Sequence, residues 1–159
     1  MKKKDKELLL KDLCARLPYG VKCEDERGNV LELSSIEQLN NIDKQNVVTF
    51  RYSDNTYNTF WVTDLDKFKP YLFPMTNITK RQAKKYYSLA DDVVIPSHPG
   101  YSFGMKIHCI KLGISDSPHE EVWDWVDMDA IDWLNVNHFD YRGLIKKGLA
   151  IDATGKNIY

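Results

Sequence analysis

Between residues 19 and 63 the chain alternates short β-forming runs with polar turns, and this rhythm limits what it can fold into more than any other feature. Val47–Tyr52 reads VVTFRY, a run of β-branched and aromatic residues suited to a pleated, half-buried surface. Tyr57–Thr63 (YNTFWVT) returns after Ser53-Asp54-Asn55, so the pair reads as a β-hairpin. Upstream, Tyr19–Cys23 and Val30–Leu33 read as strands parted by the polar, Gly28-containing segment 24–29, and Asn40–Lys44 reads as another turn. Four or five short strands at a spacing of roughly 8–12 residues predict a small antiparallel β-barrel or bent sheet, SH3-like in the first instance. A helix packed on an open sheet is the alternative.

Helical signals flank this region. Leu9, Leu10, Leu13, Cys14 and Leu17 share one face of an N-terminal helix, opposite Lys4, Lys6, Glu7 and Lys11. Pro18 and Gly20 end it near Arg16. Pro70 and Pro74 bracket Tyr71-Leu72-Phe73 and mark an exit from the sheet. Thr79-Lys80-Arg81-Gln82 has the pattern of a capping box, which predicts a helix to about Leu89 with Ala83, Tyr86, Tyr87 and Ala90 inward. Ser117-Pro118-His119-Glu120 predicts a second start, with a helix from Pro118 to about Val136. Short strands are candidates at Met105–Leu112 and Leu149–Ile151. The fold class is therefore α+β: residues 1–75 hold the N-terminal helix and small barrel, and residues 76–159 form a helical C-terminal region packed on it.

Composition narrows the function classes. The net charge of −1 gives no global drive toward nucleic acid or an anionic membrane. No apolar run approaches the ~18 residues of a membrane span. The basic start is followed by only three leucines before charge resumes, so it does not read as a signal peptide. Three cysteines without a close pair do not form a disulfide framework, and a reducing cytoplasm is the expected setting.

Motifs for chemistry are sparse. His119-Glu120-Glu121 lacks the second histidine of a zincin helix, and His108-Cys109 has no paired spacing. There is no nucleophile elbow, and Gly100 to Gly104 has neither phosphate-loop spacing nor the following Lys-Ser/Thr. Cys14 and Cys23 read as small buried hydrophobes. No cofactor or metal is expected. His138 and Asp140 place an imidazole near a carboxylate, as in some metal-dependent hydrolases, and supply the third-ranked function.

Binding is the better fit. Lys80, Arg81, Lys84 and Lys85 cluster on one predicted helix, and Tyr52, Tyr57 and Trp61 lie on the predicted hairpin, where exposed rings stack on single-stranded bases in small barrels. Trp123, Trp125 and Trp133 fall within eleven residues in a segment of opposite sign: residues 119–159 carry −4, against +3 for 61–118. Complementary charge of this kind steers protein encounter, and tryptophans anchor interfaces. Trp125, at the edge of the apolar arc, is the interface candidate. Asp129 projects into that arc beside Trp125 and Trp133, where it needs either a cation such as Arg142 or exposure at a partner surface.

Three stretches carry a resemblance: LCARLPYGVKC (Leu13–Cys23), FKPYLFPMTNIT (Phe68–Thr79) and DWLNVNHFDYRGLIKKGLAIDAT (Asp132–Thr154), about 46 residues in all. Together they resemble a family of small uncharacterised proteins of Bacteroides-type gut bacteria and their phages or integrated elements. The resemblance implies a mobile-element origin and brings no activity or site residue with it. The leading expectation is a non-enzymatic, cytoplasmic module that binds another macromolecule, a protein first, through Trp125, Asp129 and Trp133. The second is a small-barrel nucleic-acid binder that uses Lys80, Arg81, Lys84, Lys85, Tyr52, Tyr57 and Trp61.

Overall fold

The structure is a computed structural model and describes residues 1–38, 46–89 and 128–159. The chain divides into two compact units, Met1–Leu72 with Leu144–Tyr159, and Phe73–Gly143. The last sixteen residues return to the first unit as turns and a short strand rather than extending a helical region.

The first unit opens with helix α1 (Lys3–Arg16), which buries Leu9 and Leu13 against the sheet core. The face it buries is not the purely apolar one expected. Cys14 is exposed, whereas Asp12 and Arg16 are fully buried. Arg16 donates to both carboxylate oxygens of Asp12, at 2.7 Å from Nε and 3.2 Å from Nη2. The i,i+4 spacing that lets apolar residues share a face also lets a forked guanidinium grip a carboxylate one turn back. A charge pair in this geometry can go where either charge alone could not.

Five strands follow in antiparallel contact: β1 (Lys22–Asp25), β2 (Val30–Gln38), β3 (Asn46–Arg51), β4 (Tyr57–Trp61) and β5 (Phe68–Leu72). A two-residue strand, β6 (Ile151–Asp152), adds to β5 in parallel, giving the order β4-β3-β2-β1-β5-β6. The sheet does not close into a barrel, since β4 and β5 share no ladder. It is nevertheless rolled. Four interstrand steps of about 4.8 Å would hold β4 and β5 about 19 Å apart in a flat sheet. Instead the rings of Phe60 on β4 and Phe68 on β5 meet at 4.8 Å, and Phe50 on β3 stacks on Phe68 at 4.5 Å. The roll accompanies a register shift in the β2–β3 ladder between Leu33 and Ser35, just past Glu32, which pairs with both β1 and β3. A 3₁₀ turn, Val62–Lys67, carries the chain from β4 to β5 and buries Leu65.

The sequence reading takes Pro70 as a mark of the sheet's end, yet Pro70 lies inside β5 opposite Cys23. Proline has no N–H to give, so this rung is one that exchanges no main-chain bonds. Beyond this last rung of the ladder a side chain links Lys22 to Tyr71. The hydroxyl of Tyr159 accepts from the Lys22 N–H (3.2 Å) and donates to the Tyr71 carbonyl (2.8 Å). Lys22 Nζ also donates to the Ile158 carbonyl at 2.7 Å, which ties down the same segment.

In the second unit, helix α2 (Lys80–Leu89) begins as expected. The Gln82 N–H donates to Thr79 Oγ1 at 3.2 Å, and the Thr79 N–H donates to Gln82 Oε1 at 2.9 Å: a reciprocal capping box. Ala83 and Tyr86 are buried, as expected; the side chains of Tyr87 and Ala90 lie outside the described residues. The same holds for the expected cap at Ser117, the helix before Met128 and the strand at Met105–Leu112. Helix α3 (Met128–Val136) packs Ala130 and Leu134 into a cluster with Met75, Ile78, Ala83, Tyr86, Phe139 and Tyr141.

Candidate interaction surface

The β3–β4 hairpin is held by its turn. The Asp54 carboxylate accepts from the N–H (2.9 Å) and hydroxyl (2.7 Å) of Thr56, and these bonds hold its pKa below the usual carboxylate value. The Tyr52 N–H donates to the Thr56 carbonyl at 2.9 Å, and Asn55 takes the left-handed conformation with φ 64°. Strand alternation then sorts the side chains. Phe50, Val48 and Phe60 turn inward and pack with the core. Tyr57, Thr59 and Trp61 turn outward, opposite Arg51, Thr49 and Val47.

The outward face is a short ordered platform. Tyr57 is 57% exposed and Trp61 43%. Between them Thr59 and Thr49 share a hydrogen bond of 2.9 Å. Arg51 Nη2 donates to Glu32 Oε1 on β2 at 2.7 Å, so the one cation of the hairpin is already matched. Across residues 46–61 Arg51 and Asp54 are the only ionisable acid or base that carry charge at neutral pH, and the hairpin's net charge is zero. β4 is the end strand of the sheet, with no further strand paired on its other side among the described residues. It contains no proline or charged residue, two of the devices by which sheet edges are blunted.

Beneath the hairpin lies an open groove of about 440 Å³, lined by Tyr52, Asn58, Phe60, Phe68, Asp25 and Asn29 among others. The β1–β2 turn on its rim is pinned by Asp25, whose carboxylate accepts from the N–H groups of Arg27 and Asn29 and from Asn29 Nδ2. Burial pushes the Asp25 carboxyl up, but the Asn29 and Arg27 bonds outweigh it and leave its pKa lowered.

The other sequence candidates are dispersed. Tyr52 is half-buried and packs against the core, so it is a groove wall rather than a free stacking ring. Lys80, Arg81, Lys84 and Lys85 are all exposed on α2, in the second unit, but Tyr86 beside them is buried. Trp125 lies outside the described residues. Asp129 is exposed in the first turn of α3, where a carboxylate faces the positive helix end. It is therefore not the buried carboxylate that its wheel position suggested. Trp133 is half-buried, stacked on Phe139 at 5.8 Å and tilted against Tyr86 at 6.3 Å. It belongs with the core of its unit rather than on an open acidic notch. Arg142 lies over the Tyr141 ring at 4.7 Å.

His138 and Asp140 have local structural work. The Phe139 N–H donates to the Leu134 carbonyl at 3.0 Å and the His138 N–H to the Asn135 carbonyl at 3.1 Å, the pair of bonds that closes a Schellman motif on α3. His138 occupies the left-handed position, with φ 54°, where glycine is usual. The Asp140 N–H donates to the Phe73 carbonyl and the Phe73 N–H to the His138 carbonyl, both at 2.8 Å. Among the described residues no group of three or more His, Cys, Asp or Glu is placed to hold a metal ion.

Sequence reasoning named Tyr57 and Trp61 but missed Thr59, Thr49 and the Arg51–Glu32 pair. The period-two pattern of Tyr57–Trp61 was the available signal; which face it presents to solvent depends on how the sheet rolls. No family model, curated protein or solved structure matches this chain. Among the described residues no helix is long and apolar enough to cross a membrane.

Proposed function

We propose that the protein is a non-enzymatic, cytoplasmic protein-interaction module of a mobile element, with the outer face of the β3–β4 hairpin as its contact surface. The observation that carries this reading is the pair of exposed rings, Tyr57 and Trp61, on one face of the strand that ends the sheet among the described residues. Large aromatic side chains flanked by polar, hydrogen-bonding residues are the usual anchors of protein interfaces. The matched charges of the hairpin favour a protein over nucleic acid, because single-strand binders join stacking rings to a basic groove. The SH3-like description of the first unit is part of the proposal. It is supported by the rolled β4-β3-β2-β1-β5 order and by the 3₁₀ link between β4 and β5.

The test compares wild type with the Tyr57→Ala/Trp61→Ala double variant in affinity capture from lysate of the source cells, alongside titration with a single-stranded oligonucleotide over a salt series. The reading requires proteins held by wild type and lost by the variant. Oligonucleotide binding that weakens steeply with salt, and is lost in a Lys80→Ala/Arg81→Ala variant, would replace it with the nucleic-acid reading.

A further inference from the structure

The strand that carries the exposed rings has a symmetry of its own. Read from either end, Tyr57-Asn58-Thr59-Phe60-Trp61 presents an aromatic residue, then threonine, then an aromatic residue on its outward side. An end strand offers a row of main-chain N–H and C=O groups whose natural complement is another strand. From this pattern we infer that the partner of β4 is β4 of a second copy of the chain, paired antiparallel about a two-fold axis through Thr59. The inference rests on the hairpin surface proposed above and names its occupant.

Three features select a second copy. First, centring the two-fold axis on Thr59 sets Tyr57 opposite Trp61 of the other copy at both ends and Thr59 opposite its own counterpart in the middle. Aromatic–aromatic and Thr–Thr pairs are among the favourable cross-strand pairs. The existing Thr49–Thr59 bond shows that the same face already accommodates the second kind. Second, the strand carries no charge, and Arg51 beside it is matched by Glu32, so two copies meet without like charges opposed. Third, this register alone engages all five residues of β4 in both copies. A shift of two residues leaves an aromatic ring without a facing partner, and a shift of one sends the outward row to the opposite face. The contact is isologous, as a closed dimer requires. Five residues span about 17 Å, a short edge, so the dimer is concentration-dependent.

Sedimentation equilibrium on the full chain from roughly ten micromolar to one millimolar reads the outcome, with circular dichroism to verify folding. Thr59 is exposed, so Thr59→Lys and Thr59→Glu are tolerated by the monomer while each sets like charges face to face across the axis. The expected result is a wild type that dimerises, two single variants whose dimerisation is at least tenfold weaker, and an equimolar mixture of the two variants that dimerises again. Restoration in the mixture is specific to residue 59 facing itself. A wild type that stays monomeric throughout, or a Thr59→Lys variant that dimerises as wild type does, overturns the inference. If that monomer still captures another protein through Tyr57 and Trp61, the hairpin reading stands and only the self-pairing falls. If it captures none, both fall.

Discussion

Replacing Tyr159 with phenylalanine removes one oxygen atom and keeps the ring, so it isolates the hydroxyl that bridges β1 and β5. The two bonds at stake run from the Lys22 N–H at 3.2 Å and to the Tyr71 carbonyl at 2.8 Å. Although 43% of Tyr159 is exposed, its hydroxyl end is desolvated, and that burial raises the phenol pKa above its usual value. Tyr71 is only 2% exposed, so its carbonyl would be left facing little water, whereas Lys22 is half-buried and regains a solvent contact more readily. A buried group left without its bond costs about 1–3 kcal/mol and a solvated one less, which puts Tyr159→Phe at about 2 kcal/mol. With a urea slope of about 2 kcal/mol/M, the unfolding midpoint of the first unit falls by about 1 M. Hydrogen exchange gives the local test: the Lys22 amide should exchange at least tenfold faster, while the Phe50 amide shifts only with global stability. A midpoint change below about 0.2 M together with an unaltered Lys22 amide would refute the bridging role.

Asp12→Asn leaves the buried Arg16 guanidinium facing a neutral group, and chemical unfolding should show a loss of about 3–5 kcal/mol. Thr79→Ala breaks the capping box of α2 and should cost about 0.5–2 kcal/mol, measurable as reduced exchange protection in that helix. His138→Gly should be more stable than His138→Ala by about 1 kcal/mol in urea melts. Both lose the imidazole, but only alanine must bear the left-handed φ. Alkaline titration should destabilise the protein from about pH 10 upward. Burial raises the phenols of Tyr71 and Tyr86 to about 12, with a hydrogen bond to Glu24 adding at Tyr71, and burial raises Tyr159 as well. The folded state therefore holds protons that the unfolded state releases, and the stability these phenols contribute is complete below pH 10 and lost as pH passes their folded values. Thermal melts between pH 8 and 12 check the sign.

The features that can be read along the chain are local. Strands β3 and β4, the polar turn between them, the end of α1 near Arg16 and the capping box at Thr79 all rest on neighbours within a few residues. Periodicity, proline and capping chemistry act over that range, so the residues announce them. The outward pair Tyr57 and Trp61 was legible in the same way, as alternate positions on one strand. Other features depended on what lies across the fold. A register shift in the β2–β3 ladder and a triple of phenylalanines accompany a roll that does not close the sheet, and no local pattern says where the last strand ends up. Pro70 reads as a stop but is accepted in β5, because the rung it occupies asks for no N–H. Asp12 and Arg16 are charged, and charged side chains are almost never fully buried unless paired. Each is buried only because the other meets it on the face that docks. His138 and Asp140 read as chemistry, whereas the main-chain bonds by which they close the end of α3 and join Phe73 appear only in the fold. Tyr159 lies 137 residues from Lys22, and its link between Lys22 and Tyr71 exists only once both ends of the chain meet. Short-range physics can be read along a chain, but burial and long-range pairing are properties of the surfaces that the folded elements present to one another.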